Sequence, residues 1–169
     1  MAEFSLPDPW TPFDSLKTAA TTASLTSWAS GAPVGSNNAA LYMPVWFPSD
    51  ADLYEMSFMA TNGTGNYDLG LYDSAYARLT SAGSTAMTAA GLKTHAFATD
   101  IAVVGGDLYY AGIAFSSSSA AAMVAIFTTA VHLVGAGFAQ QAAAIPLPDP
   151  MVPATMGGNN FPLISFGVR

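Results

Sequence analysis

Short β-rich runs, each followed by turn-forming residues, recur through this 169-residue chain and restrict its fold more than any other feature. The runs cover 40–47, 53–61, 66–73, 93–99, 107–115, 122–128 and 161–169. Turn formers such as Asn62-Gly63 and Gly105-Gly106 separate them. Repeated short strands joined by such turns predict an all-β fold, an antiparallel sandwich or barrel, of which we expect the sandwich.

The run NYDLGLYD at 66–73 shows which sides of a strand should be buried. Its two-residue period puts Tyr67, Leu69 and Leu71 on one face, which we expect in the core. The other face carries Gly70, which indicates a bulge or a close approach by another part of the chain. The run at 107–115 is apolar on both faces, which predicts burial on both sides or contact with a partner.

Turn chemistry adds three local predictions. Asn62-Gly63 predicts a hairpin that pairs the runs on either side of it, because both residues tolerate positive φ. Gly105-Gly106 predicts the turn that enters the run at 107–115. The stretch GNYDLGLYDSAYARLTSAGST (65–85) predicts a strand, a turn held by Asp73 and a second strand.

Composition divides the chain into two parts. Residues 1–38 are rich in Pro, Ser, Thr, Ala and Gly, which predicts an extended N-terminal arm without a core of its own. Residues 39–169 form the predicted sandwich domain, including an irregular Ala- and Pro-rich segment at 129–160. Large aromatic residues in such segments suggest anchors at interfaces with neighbouring subunits. The predicted interface residues are Trp10, Phe13, Trp28, Phe138 and Phe161.

Low charge predicts an assembled protein. Only 9% of the residues are charged, against about 25% in an ordinary soluble domain, and 51% are hydrophobic. Such a surface favours contact with other chains. The net charge is −7 with four basic residues spread singly, so we expect no nucleic-acid partner. The absence of cysteine excludes disulfides and thiol nucleophiles.

One uncharged run could instead be a membrane span. Residues 120–138 are long enough to span a bilayer, and no Asp, Glu, Lys or Arg occurs between Asp107 and Asp149. We predict no membrane span, because Thr128, Thr129 and His132 interrupt the run and no basic residue flanks it. The start MAEFSLPDPW has no secretory signal pattern, so we expect synthesis in the cytoplasm.

Carboxylates suggest two chemical roles that must be weighed against ordinary turn hydrogen bonds. Glycoside hydrolysis needs two carboxylates that flank the scissile bond, and the candidates are Asp68, Asp73, Asp100 and Asp107. Calcium needs six to eight oxygen ligands, and the candidates are Asp50, Asp52, Asn62, Asn66 and Asp68. Because Asp and Asn are common in turns for local reasons, we predict no enzyme activity and no metal or other cofactor.

Histidines and tyrosines leave one binding function open. His95 and His132 are too isolated for a catalytic triad or a zinc site. Aromatic side chains could form a platform on which sugars stack, although aromatic residues in strands are more often core or cross-strand pairs. The candidates are Tyr42, Trp46, Tyr54, Tyr67, Tyr72, Tyr76, Tyr109 and Tyr110.

The motifs over 37–169, in their order, resemble those of a β-sandwich family of structural proteins in tailed-bacteriophage virions. The resemblance rests on NNAALYMPVWF, GNYDLGLYD, ARLTSAGST, GGDLYYAGIAF, GFAQQAAAIPLP and FPLISFGVR. The chain departs from the family where Ser74-Ala75-Tyr76-Ala77 replaces a glycine-bearing turn. The resemblance implies a jelly-roll-like sandwich and a capsid decoration, head fibre or tail-associated role in a symmetric oligomer.

We therefore expect a virion structural protein made in the host cytoplasm. Its expected partners are other copies of itself, as a trimer, and virion proteins such as the major capsid or tail proteins. The alternative is a glycan-binding adhesion module of a phage fibre or cell surface, for which a host-surface glycan would be the ligand.

Overall fold

The computed structural model describes residues 25–33, 39–117, 121–127, 139–142, 144–152, 154 and 160–169. These residues form twelve strands and no helix, which confirms the predicted all-β class. The strands are β1 (Leu25–Pro33), β2 (Ala39–Trp46), β3 (Ala51–Ala60), β4 (Asn66–Tyr72), β5 (Arg78–Ser81), β6 (Thr85–Ala86), β7 (Gly91–Val103), β8 (Leu108–Phe115), β9 (Ala121–Phe127), β10 (Ala139–Gln141), β11 (Asn160–Pro162) and β12 (Ile164–Val168).

The strands form two six-stranded sheets, consistent with the predicted sandwich. Sheet 1 has the order β1-β9-β3-β12, with β11 paired to β9 and β7 paired to β3. Sheet 2 has the order β10-β2-β8-β4-β5, with β6 paired to β4. All of these pairs are antiparallel, as predicted.

The jelly-roll-like connectivity and the N-terminal arm stay predictions. Residues 1–24 and 34–38 of the predicted arm lie outside the described residues. Between them, Leu25–Pro33 forms β1 and pairs with β9 in sheet 1.

The main core lies between the two sheets and follows the period of the strands. Tyr67, Leu69 and Leu71 of β4 are buried there, as predicted. Phe58 of β3 meets this layer edge-on, with its ring centroid 5.1 Å from that of Tyr67 and 5.6 Å from that of Phe115. Edge-to-face aromatic pairs of this kind stabilise a core beyond the area that they bury.

The predicted hairpin at Asn62-Gly63 is wrong, because β3 and β4 belong to different sheets. The edges of β4 are occupied by β8 on one side and by β5 and β6 on the other. Gly63 is needed for a close approach rather than for a hairpin turn, since a Cβ there would lie 2.3 Å from the backbone nitrogen of Ala89. The left-handed conformation in this link belongs to Gly65, at φ 77°.

The other two turn predictions are confirmed. Gly106, at φ 83°, lies in the turn before β8, where the Asp107 N–H donates to the Val104 carbonyl over 3.2 Å. Between β4 and β5, one carboxylate oxygen of Asp73 accepts the N–H groups of Ala75 and Ala77, each at 2.9 Å. These bonds support Tyr76, whose φ of 70° is uncommon for any residue but glycine.

The uncharged run at 120–138 is described only in part. Its residues 121–127 form β9, and the rest lie outside the described residues. In the part of the chain that the structure describes, no helix is long and apolar enough to cross a bilayer.

Candidate functional site

The two outer faces of the sandwich differ, and the first of them is covered by the chain itself. Residues 144–152, here called the strap, lie against the outer face of sheet 2. Leu147 and Met151 of the strap are buried against Tyr42 and Tyr72 of the sheet. Strands of sheet 2 are therefore covered on both faces, which confirms the prediction for 107–115.

Two glycines form a trough beneath the strap. Gly70 of β4 and Gly112 of β8 are register partners. A Cβ at Gly70 would lie 2.9 Å from Cδ1 of Leu147, and one at Gly112 would lie 3.0 Å from the ring of Tyr72. The close approach predicted at Gly70 is confirmed, and the strap is the segment that approaches.

Asp68 anchors the centre of the strap. Its side chain is fully buried, and each carboxylate oxygen lies 2.9 Å from the hydroxyl of Ser81. The backbone N–H of Leu147 donates to the same carboxylate over 2.7 Å. A buried carboxylate is costly without such donors. The polar partners of Asp68 therefore come from β5 and from the strap.

Tyr42 and Tyr72 add further hydrogen bonds around the strap. The hydroxyl of Tyr72 donates to the Pro148 carbonyl over 2.7 Å, and that of Tyr42 donates to Oε1 of Gln141 over 2.9 Å. Burial raises the pKa of both phenols well above the usual range of tyrosine. Both hydroxyls therefore stay protonated and remain donors over the whole physiological pH range.

Arg78 holds the strap at the side of β5. Its guanidinium donates to the Leu147 carbonyl, and its backbone N–H donates to the Asp149 carboxylate over 3.0 Å. Nearby, the Met151 N–H donates to the Tyr76 carbonyl over 3.0 Å. Because the strap has no strand partners over this stretch, these bonds satisfy backbone groups that a ladder would otherwise satisfy.

The outer face of sheet 1 over β3, β7 and β12, here called the open face, has a different character. Leu92 and Met59 lie opposite each other in register and are 54% and 39% exposed. At one end of this face, Glu55 and the Tyr54 ring lie beside Gly167, and the Arg169 guanidinium lies 4.9 Å from the centre of that ring. The open face consists of Glu55, Ser57, Met59, Leu92, Thr94, Ala96, Ser165 and Gly167. Of these, Met59, Leu92, Thr94 and Ala96 are exposed, whereas Ser57 and Gly167 are buried. The exposed side chains of Met59, Leu92 and Ala96 make it the candidate interaction surface of the molecule.

The predicted interface residues are only partly placed by the structure. Trp10, Phe13 and Phe138 lie outside the described residues. Trp28 in β1 and Phe161 in β11 are both register partners of Ala125 in β9. The backbone thus brings Trp28 and Phe161 into one row of sheet 1, although the sequence separates them widely.

The remaining carboxylates lie in separate places. Asp73 holds the β4–β5 turn, and Asp107 lies in the turn before β8. Asp100 lies in the bulge of β7 and forms an ion pair with Arg169 over 2.6 Å. Across the described ranges, no three His, Cys, Asp or Glu side chains form a group that could hold a metal ion.

A shallow groove of about 350 Å³ lies where β3, β7 and the end of β12 meet. Arg169 borders it, with its guanidinium 4.9 Å above the Tyr54 ring and in contact with Asp100. The groove is lined by Asp50, Ala51, Asp52, Ala102, Val103, Val104 and Arg169. One of these carboxylates, that of Asp50, already accepts the Gly105 N–H over 2.8 Å.

His95 connects the two sheets at one lateral edge of the sandwich. Its Nε2 lies 2.9 Å from the hydroxyl of Thr80, so that β7 of sheet 1 contacts β5 of sheet 2. Burial lowers the pKa of His95 below the ordinary histidine value, and the charge of Asp68 opposes this shift.

The tyrosines expected for a sugar platform are mostly inside the protein. Tyr42, Tyr67, Tyr72 and Tyr109 are buried. Tyr76 is 39% exposed and packs edge-on against Tyr110, with an angle of 65° between the rings. These two rings do not share a plane. Of the other candidates, Trp46 and Tyr54 are partly exposed. Glycan binding stays a prediction that now concerns Trp46, Tyr54, Tyr76 and Tyr110.

Sequence reasoning missed the strap contacts and the open face, although each left a signal. In the run at 53–61, Met59 is an apolar residue on the side of the strand that carries Glu55 and Ser57. In the run at 66–73, Asp68 shares a face with Gly70. A carboxylate beside a glycine on one strand face indicates a second segment that both approaches closely and donates hydrogen bonds.

Comparison with known proteins finds no family model, no curated relative and no solved structure that matches this chain.

Proposed function

We propose that this chain is a structural component of a bacteriophage virion, a capsid decoration, head fibre or tail-associated protein, and that it acts through packing between subunits. The motif resemblance over 37–169 points to this class. The observation that carries the proposal is the open face, where Leu92 and Met59 are exposed side by side on a chain of net charge −7. Exposed apolar surface on a protein with few charges favours burial against neighbouring subunits.

The carboxylates support a structural role rather than a hydrolytic one. Asp68 is buried and bonded to Ser81 and Leu147, and Asp73 is bonded to its own turn. Asp100 is paired with Arg169. Each of these side chains stabilises local structure, whereas glycoside hydrolysis needs two carboxylates facing one cleft.

The experiment is cryo-electron microscopy of purified particles from a phage that carries this sequence, with peptide mass spectrometry of the same preparation. We expect this chain in many copies per particle and sandwich-shaped density at symmetric positions. Purified particles that contain every other virion protein but lack this chain would overturn the proposal.

A further inference from the structure

We infer that the trough on sheet 2 recognises the tetrapeptide Leu-Pro-Asp-Pro, and that residues 6–9 of a neighbouring copy of this chain bind there in exchange for the strap. This inference rests on the proposed function, because it names a contact through which the subunits would pack. The donor segment belongs to the N-terminal part of the chain, which lies outside the described residues.

The same tetrapeptide occurs twice in the chain, at 6–9 and at 147–150. The second occurrence forms the centre of the strap. A large apolar residue follows each occurrence, Trp10 after the first and Met151 after the second. Met151 is buried in the apolar cluster between the strap and sheet 2. A four-residue repeat can arise by chance, so the contacts of the second occurrence decide what the first could bind.

Leucine is the residue that the trough contacts most closely. The Leu147 side chain is buried, and its Cδ1 lies where a Cβ at Gly70 would be only 2.9 Å away. Its backbone N–H donates to the Asp68 carboxylate over 2.7 Å, and its carbonyl accepts the Arg78 guanidinium. Leu6 offers the same side chain and the same two backbone groups.

Hydrogen bonds recognise the next two residues of the tetrapeptide. The Pro148 carbonyl accepts the Tyr72 hydroxyl over 2.7 Å, and the Asp149 carboxylate accepts the backbone N–H of Arg78 over 3.0 Å. The prolines need no acceptor, because proline has no N–H. Residues 7–9 carry the same groups in the same order.

Local concentration therefore decides which of the two segments occupies the trough. Gln140 of β10 pairs with Ala154, which closes the strap into a loop beside its own trough. We expect an isolated chain at low concentration to keep its strap in place for this reason. In an assembly, the N-terminal segments of neighbouring copies reach effective concentrations of about the millimolar range and compete.

The chain between the tetrapeptide and the sandwich is long enough to reach a neighbour. Residues 10–24 join the tetrapeptide to Leu25 at the start of β1. At roughly 3.3 Å per residue, this link spans up to about 50 Å, whereas a domain of this size is roughly 40 Å across. Binding within one copy would add no contact between subunits, so the proposed packing requires the segment of a neighbour.

A labelled peptide of residues 1–12, titrated into the full chain and followed by fluorescence anisotropy, tests the recognition. The strap competes with the peptide in the wild type. Leu147→Ala weakens the strap, so this variant should bind the peptide at least tenfold more tightly. Asp149→Ala should also bind it more tightly, and the exposed position of Asp149 favours an intact fold. Circular dichroism checks that both variants are folded.

Matched variants show which groups are recognised. The Leu6→Asp peptide should bind at least tenfold more weakly, because its carboxylate would enter an apolar trough. The Thr11→Asp peptide adds the same charge at the position that corresponds to Val152, which is 65% exposed, so it should bind like the wild-type peptide. Tyr72→Phe in the Leu147→Ala chain removes the donor to the proline carbonyl and should weaken binding.

Cross-linking identifies the copy that supplies the segment, since the chain contains no cysteine and single thiols can be placed freely. Thr11 corresponds to the residue after Met151, whose N–H donates to the Tyr76 carbonyl, next to Ala77. In the Leu147→Ala background, a mixture of Thr11→Cys and Ala77→Cys chains should form a covalent dimer with a short bismaleimide. A chain that carries both substitutions and cross-links only within itself would contradict exchange between copies.

Three results would overturn the exchange: no binding of the peptide to either strap variant, equal binding of the Leu6→Asp peptide, or cross-links confined to single chains. Failure of the proposed function looks different. If the Leu6→Asp chain enters particles as well as the wild type, the exchange is wrong and the virion role stands. If the exchange occurs in solution but the chain is missing from purified particles, the exchange stands and the virion role is wrong.

Discussion

The two outer faces of this sandwich carry out opposite tasks with different residues. Sheet 2 offers a trough at Gly70 and Gly112 with Asp68 and Tyr72 as anchors, and the strap fills it. Sheet 1 offers the exposed row of Leu92 and Met59. The difference shows how an irregular segment can be held on a sheet, since side chains of sheet 2 bond the backbone of the strap.

The largest expected difference in the free energy of unfolding is between two leucine-to-alanine variants, one on each outer face. Leu147→Ala removes a strap side chain that is 1% exposed and leaves a cavity over the trough, so it should lower the free energy of unfolding by about 3 kcal/mol. Leu92→Ala removes a side chain that is 54% exposed, so it should change the free energy of unfolding by less than about 0.5 kcal/mol.

Urea unfolding at low protein concentration measures both variants. Circular dichroism should show unchanged strand content in each folded protein. Equal losses in the two variants would contradict the distinction between a covered and an open face.

An intermediate loss of stability is expected when Asp68, the polar anchor of the strap, is replaced. Asp68→Ala leaves the buried N–H of Leu147 without its acceptor, which should lower the free energy of unfolding by about 2 kcal/mol. Hydrogen exchange at the strap amides should rise more than exchange in β3. Asp68→Asn is the matched control, because its amide oxygen can still accept the bond, and it should retain part of the stability. If the strap amides exchange equally slowly in Asp68→Ala, the anchor is not what holds the strap.

The smallest expected effect concerns the edge where the two sheets meet. Because burial lowers the pKa of His95 in the folded state, the unfolded chain binds a proton more readily. The contribution of His95 to stability is therefore complete above pH 6.5, the ordinary histidine value, and falls as the pH decreases from there through the lowered folded pKa.

The urea midpoint between pH 5 and pH 8 measures this effect, with His95→Gln as the reference that cannot titrate. Wild type should lose stability relative to His95→Gln as the pH falls. A constant difference between the two proteins over this range would show that the contact of His95 with Thr80 does not respond to pH.

The local part of the fold was predictable because it depends on near neighbours in the sequence. The alternation of Tyr67, Leu69 and Leu71 identified a strand and its core face. Asp73 identified the turn that follows it. Short-range chemistry of this kind does not depend on which strand comes to lie alongside.

The pairing of strands, and the segment that covers each sheet face, were not predictable from the same information. Asn62-Gly63 has the chemistry of a hairpin turn, yet its flanking strands lie in different sheets because Phe58 packs on Tyr67 across the core. Gly70 indicated a close approach without identifying Leu147, which lies far along the chain. The interface set included Trp28 and Phe161 but omitted Leu92, whose exposure depends on the position of β7 at the side of β3.

The sequence by itself therefore determined the strands, most of their turns and the scarcity of charge, since periodicity and residue chemistry are properties of short segments. Only the tertiary structure decided that residues 144–152 cover one sheet while Leu92 and Met59 stay exposed on the other. The physical reason is that coverage depends on contacts between residues distant in the chain, and their partners cannot be read from any one segment.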